Sequence, residues 1–225
     1  MTVKELIKMV ALKMDEISSS DDIIVNVDIS DNNPLYAQIY GMLDESVNDV
    51  LLKAPVHRLE SQIANLTMTV KDNSGKGTYK TEEIFDKTRK RLVFDVPEDF
   101  LRLASYTDTK FDRPIVDLSI EGDSIANMQY NKFLFAKSSK PVAVLGRDDD
   151  GKRVISCYSY AKDDEVQPKV HYVKRFTSGN IDATISLDSY LTDIVTWVCA
   201  GKVFDVRGDI NNSKVCNDNA ASLMI

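Results

Sequence analysis

Residues 92–103, Leu92-Val-Phe-Asp-Val-Pro-Glu-Asp-Phe-Leu-Arg-Leu103, carry the clearest change of conformation in the chain. Leu92, Phe94 and Val96 alternate with other residues, as a strand with one buried face requires. Pro97 has no N–H to give and ends the ladder. Its fixed φ suits the first position of a helical turn, and Glu98 and Asp99 suit that turn's positive end. Phe100, Leu101 and Leu103 then turn inward. The stretch predicts an abrupt strand-to-helix corner, a structural device with no reactive group on it.

Around this corner the apolar period is two. Leu66, Met68 and Val70 alternate into a turn signal at 72–77, and Ile115, Leu118 and Ile120 suggest a further strand. A short helix is expected near 121–130. Val142–Leu145 and Val154–Tyr160 flank the polar loop Gly146–Gly151 as a hairpin, and Val170–Phe176 supplies another strand.

Toward both ends the period becomes helical. Thr2 and Glu5 form a capping box ahead of Val3, Leu6, Ile7, Val10, Met14 and Ile17. Ser18–Asp21 end that helix, and the alternation of Ile23, Val25, Val27 and Ile29 predicts a short strand or extended arm. Asn33 and Pro34 open a second helix whose stripe runs from Leu35 to Val50. Ser186 or Asp188 caps a third, carrying Leu187–Val198, with Gly208 as its stop, and a last helix spans roughly 212–224. The expected class is α+β. A helical bundle formed by the N- and C-terminal segments (1–60 and 186–225) carries a β-rich insertion (61–185).

At 225 residues, 43% hydrophobic and 28% charged, the composition is that of a globular protein rather than a disordered one. The apolar runs are too short to cross a bilayer, and the N-terminus has no signal-peptide pattern, so a soluble protein without membrane contact is expected. Cys157, Cys199 and Cys216 are odd in number and contain no CxxC pair, which argues against zinc and disulfides. The net charge of −7 opposes a grip on phosphates, and the basic cluster Lys87, Arg89, Lys90 and Arg91, preceded by Glu82, Glu83 and Asp86, reads as a solvated face.

No reactive pattern in the sequence is complete. Ser74–Thr78 lacks the G-x-x-x-x-G-K-[ST] spacing of a phosphate loop. Asp148, Asp149 and Asp150 are consecutive, whereas a calcium loop needs alternate ligands and flanking helices. His57 and His171 stand beside no triad pattern, and the acidic runs Glu98-Asp99 and 163–165 read as solvated. No catalytic residue, cofactor or metal is expected, and the chain reads as a non-enzyme.

Val96-Pro-Glu-Asp-Phe-Leu-Arg-Leu103 resembles the corner motif of head-to-tail connector (adaptor) proteins of short-tailed bacteriophages. Tyr130-Asn-Lys-Phe133 followed by Ser139-Lys-Pro-Val-Ala-Val144 resembles a second block of that family. The closing helical pair, Leu191-Thr-Asp-Ile-Val-Thr-Trp197 followed by Cys199-Ala200, resembles a third. The likeness runs over roughly residues 90–220 and is nearest to the ring proteins of crAss-like phages.

The resemblance implies a virion structural protein of the neck or tail, made in the host cytoplasm. It implies a homo-oligomeric ring, commonly twelve-fold, that extends the DNA channel between portal protein and adjacent tail or ring proteins, with DNA passing through without specific binding. The apolar stripes Leu35–Val50 and Leu187–Val198 are expected to close the ring. Leu223, Met224 and Ile225 either end a last helix folded back on its own bundle or form a docking segment, and Asp148, Asp149 and Asp150 are candidate inter-ring contacts. Rival readings are another virion component, such as a tail hub or capsid-associated protein, or a small enzyme with an unrecognised site.

Overall fold

In the computed structural model, which describes residues 1–17, 34–71, 76–85 and 87–224, Pro97 follows a strand that ends at Asp95, but no helix comes after it. The Phe100 N–H donates to the Pro97 carbonyl at 3.1 Å, closing a tight turn over Glu98 and Asp99. Phe100–Thr107 is then a second strand. The expected strand-to-helix corner is therefore corrected to a strand-to-strand corner that carries the chain from one sheet to another.

The helix-like spacing has an identifiable cause. Phe100, Leu103 and Tyr106 pair with Lys174, Tyr172 and Val170, so steps of three on one strand meet steps of two on its partner. Two β-bulges, between Phe100 and Arg102 and between Leu103 and Ser105, absorb the difference. Each bulge adds one residue and turns the following side chain onto the other face.

In chain order the helices are α1 (Val3–Ile17), α2 (Pro34–Lys53), α3 (Ser124–Met128), α4 (Ser189–Val206) and α5 (Ile210–Leu223). The strands are β1 (Ile63–Leu66), β2 (Tyr79–Ile84), β3 (Arg89–Asp95), β4 (Phe100–Thr107), β5 (Ser119–Ile120), β6 (Val142–Arg147), β7 (Arg153–Ala161) and β8 (Lys169–Lys174). The chain divides into two units, Met1–Gln62 with Arg175–Ile225, and Ile63–Lys174.

In the first unit, α1 starts on the capping box: Thr2 N–H donates to Glu5 Oε2 at 2.7 Å and Glu5 N–H to Thr2 Oγ1 at 3.2 Å. Asp188 caps α4 by accepting from Leu191 N at 2.7 Å, and Asp209 caps α5 by accepting from Asn212 N at 3.1 Å. α4 is central and packs against α1, α2 and α5. Its crossing with α5 depends on Gly201, where an added Cβ would lie 3.3 Å from Cys216 Cβ and 3.0 Å from Asn217 Oδ1. Gly208, at φ +77°, reverses the chain between these helices.

An extended strap, residues 175–188, belongs to this unit as well. Tyr40, Asp44 and Asn48 lie four residues apart on α2 and hold it. Tyr40 donates to the Gly179 carbonyl at 3.0 Å, Asp44 accepts from Ser178 N at 2.9 Å, and Asn48 accepts from Phe176 N at 2.8 Å. Farther along, the strap bonds the start of α1, with Val3 N donating to the Ala183 carbonyl at 3.0 Å.

The second unit holds both sheets, in the orders β1-β8-β4 and β2-β3-β7-β6-β5, antiparallel except for β5 on β6. Leu92, Phe94, Ile155, Cys157 and Tyr160 of one sheet share a core with Phe100, Leu103, Tyr106, Val170 and Tyr172 of the other. The expected helical bundle bearing a β insertion is thus corrected. Strands dominate the core of a broadly mixed α+β chain, and the terminal segments combine helices around α4 with a strap and 3-10 turns instead of forming a bundle. The β segment buries an apolar cluster of its own, so it needs no helical scaffold to hide its inner face. Among the described residues no helix is long and apolar enough to cross a membrane.

Candidate functional site

Burial-perturbed polar groups are the usual seat of chemistry, and the β unit holds a cluster of them. Tyr160 donates its hydroxyl proton to Asp108 Oδ2 at 3.1 Å and shares a hydrogen bond with the Tyr106 hydroxyl. Asp108 also accepts from Gln167 N at 2.9 Å and Lys110 N at 3.0 Å. Burial pushes the Tyr106 and Tyr160 hydroxyls far above the ordinary tyrosine range and the Cys157 thiol up with them. All three stay protonated, with donors and acceptors engaged. The network ties β4 to β7 and leaves no group turned toward a substrate.

A polar groove lies on the outer face of the five-stranded sheet. Arg91 Nε donates to Glu82 Oε2 at 2.7 Å, Arg91 Nη1 to the Tyr158 hydroxyl at 3.2 Å, and Lys80 Nζ lies 2.6 Å from Glu82 Oε1. Burial works against both charges. Hydrogen bonds and ion pairing outweigh it, so Glu82 titrates below and Arg91 above the usual range. The expected solvated basic face is corrected in part: Arg91 is half-buried and paired, and Lys90 donates to the Asp164 carbonyl. With a volume of about 100 Å³ the groove is small beside ligand pockets of about 300 Å³ and above, and Glu82 already answers both Lys80 and Arg91.

A further feature of the β unit is apolar. After α3 the chain turns back on Gln129, whose Oε1 accepts from Ala136 N at 3.0 Å and whose Nε2 donates to the Ile125 carbonyl at 2.9 Å. Ala126, Phe135 and Ala136 anchor the segment on Val144 and Tyr158, with the Phe135 ring 5.3 Å from that of Phe85. With Phe135 turned inward, its neighbours face out. Phe133 is 82% exposed, Tyr130 63%, Ile120 61% and Leu134 57%, with Ile125 and Met128 nearly half exposed. At about 150–250 Å² per large side chain, these six residues, all within a stretch of fifteen, leave on the order of 500 Å² in water. Sequence reading placed a helix here and missed the surface. The signal was present in Phe133-Leu134-Phe135, an apolar run with neither period two nor 3.6 to gather its side chains on one buried face.

The residues singled out from sequence are not brought to one place. Asp148 is a turn former, its Oδ1 accepting from Asp150 N at 3.1 Å and Lys152 N at 2.8 Å, while Asp149 and Asp150 are exposed at the same hairpin tip. Leu223 ends α5 partly exposed, Met224 caps it, and Ile225 lies outside the described residues. So do the Ser18–Asp21 helix end, the Ile23–Ile29 arm, the Asn33 cap and residues 72–75 of the loop tip. His57 is exposed in a 3-10 turn and His171 half-buried on β8. The stripes expected to face a neighbouring subunit are largely buried inside their own unit: Ile39, Leu43, Val47 and Val50 of α2, and Leu191, Ile194 and Val195 of α4. No group of side chains suited to hold a metal occurs among the described residues.

No protein family model matches the chain, and no curated protein matches it.

Proposed function

We propose that this chain is a structural protein of a bacteriophage virion, a ring-forming component of the neck or tail that extends the DNA channel below the portal. The observation that carries the reading is the exposed apolar surface from Ile120 to Leu134. A folded chain with this much apolar surface in water serves association, since burying it against a partner is favourable by about 25 cal/mol per Å². The Tyr130–Phe133 block within it is also one of the segments that carries the sequence likeness to connector proteins.

Electron microscopy and mass photometry of the purified chain, alone and with portal protein, test the reading. Closed rings of a dozen or so copies are expected, free or on the portal. A protein that stays monomeric at every concentration, with and without portal, overturns it.

A further inference from the structure

We propose that two copies of the unassembled chain pair through the Ile120–Leu134 surface about a two-fold axis, a closed dimer that takes this surface out of water. The pairing goes beyond the ring reading and is tested apart from it.

Size fits a second copy. A standard interface covers about 800 Å² per partner, a little over half of it apolar, which is roughly 450 Å². The six exposed side chains supply about that much. Phe133 and Tyr130, the two most exposed, are of the aromatic type enriched at interfaces. The surface is also preformed, because Gln129 ties its turn to Ala136 and Ile125 while Phe135 anchors it from beneath. A face that is already ordered loses little freedom on docking.

Charge selects the occupant. Between Ile120 and Leu134 stand Glu121 and Asp123 near the start, Lys132 near the end and no other charged side chain. All three are exposed, and none forms an ion pair among the described residues. Arg147 meets Glu121 through its backbone N–H, at 3.3 Å, while its guanidinium donates to the Gly151 carbonyl. The Lys132 ammonium lies 5.2 Å from the centre of the Phe133 ring, so the positive end adjoins the most exposed side chain. A partner surface of one sign would satisfy one end and repel the other. A second copy turned about a two-fold axis brings Lys132 against Glu121 and Asp123, and the same contact recurs on the other side of the axis. Such an isologous contact is saturated at two copies.

Sedimentation equilibrium of the full chain over a dilution series tests this with three variants: Phe133→Ser with Leu134→Ser, Lys132→Glu, and Glu121→Lys. The parent should be a dimer that dissociates on dilution, and the Ser double variant a monomer with the parent's melting temperature. In each charge variant like charges meet twice across the axis, and dimerisation should weaken about tenfold. Mixed one to one, the two charge variants bring opposite charges together on both sides of the axis and should regain the parent's affinity as a heterodimer. A head-to-tail contact with some other surface offers no such rescue. Charge variants as tight as the parent, or weakened ones that mixing fails to restore, therefore overturn the two-fold pairing. So do a parent that is monomeric at every concentration and a dimer that survives the Ser substitutions. If those substitutions lower the melting temperature, the charge variants decide. Rings of the free parent with no dimer on dilution overturn the pairing and leave the ring reading standing. A dimer restored by mixing that yields no ring with portal protein supports the pairing and overturns the ring reading.

Discussion

The Tyr160 hydroxyl on β7 meets the Asp108 carboxylate just past β4 at 3.1 Å, inside the core that both sheets share. Tyr160 reaches that core because the register between β3 and β7 shifts between Lys90 and Leu92. Strict alternation would place Cys157 and Tyr160 on opposite faces. The irregularity at Ser159, φ +124°, puts both on the inner face and leaves Tyr158 on the outer one against Phe135.

Removing the carboxylate should therefore cost more than removing the hydroxyl. Asp108→Ala strands the Gln167 and Lys110 N–H groups, leaves the Tyr160 hydroxyl only Tyr106 as partner, and is expected to lose about 3 kcal/mol. Tyr160→Phe leaves Asp108 its backbone donors and is expected to lose about 1–2 kcal/mol. Urea unfolding of the two variants checks the order, and equal losses would count against the carboxylate as the hub.

Ser159 is a non-glycine residue in a backbone region that favours glycine. Ser159→Gly should raise stability by up to about 1 kcal/mol, offset in part by the greater freedom of glycine in the unfolded chain. Ser159→Val should lower it. A Gly variant with a reduced melting temperature would show that the Ser159 hydroxyl, which accepts from Val142 N at 3.4 Å, matters more than the backbone.

Burial raises the Cys199 and Cys216 thiols to about 11 from 9.0. With the folded pKa above the unfolded one, the unfolded chain releases protons between pH 9 and 11 that the folded chain keeps. Stability from this source is complete below pH 9 and is lost as pH rises toward 11. Melting temperatures should fall across that window, and less steeply in Cys199→Ala than in the parent. An aromatic disulfide reagent at pH 8 should find the three thiols silent until the protein unfolds, since all three are buried.

At the β6–β7 hairpin tip the three aspartates should separate. Asp148→Ser removes the acceptor for Asp150 N and Lys152 N and is expected to cost about 1 kcal/mol by thermal melting. Asp149→Ser with Asp150→Ser should leave the melt unchanged and impair recruitment of the next virion component in an assembly assay. An unchanged assembly yield removes the tip from the candidate inter-ring contacts.

Twelve copies at −7 each would carry roughly −84, a field that repels phosphate within about a Debye length. No duplex binding at physiological salt is expected in a mobility-shift assay. The Arg91 guanidinium is committed to Glu82, which reduces the basic cluster further. Tight, salt-sensitive binding would move the chain out of the conduit reading.

Local signals determined the ends of elements. The Thr2–Glu5 box, the cap at Ser186 or Asp188 (the structure uses Asp188) and the Gly208 reversal depend only on neighbours three or four residues away, and so they were legible in one dimension. The hairpin of β6 and β7 was legible for the same reason, since alternation and a polar turn are both local. The strand after Pro97 was not. Its steps of three look helical, and only the two-step spacing of Lys174, Tyr172 and Val170, some seventy residues away, reveals them as bulges.

The candidate site divides the same way. Lys132, Phe133 and Leu134 are visible in the sequence as residue types, and the expectation there was a short helix. Which side chains face water depends on Phe135 filling the space beside Phe85 and Tyr158, and on Gln129 tying the turn to Ala136. Likewise, the apolar stripes of α2 and α4 had the composition of an interface, yet they pack within their own unit. Hydrophobicity states only that a side chain gains by leaving water. Which surface covers it is a matter of long-range packing, and that is decided in the tertiary structure.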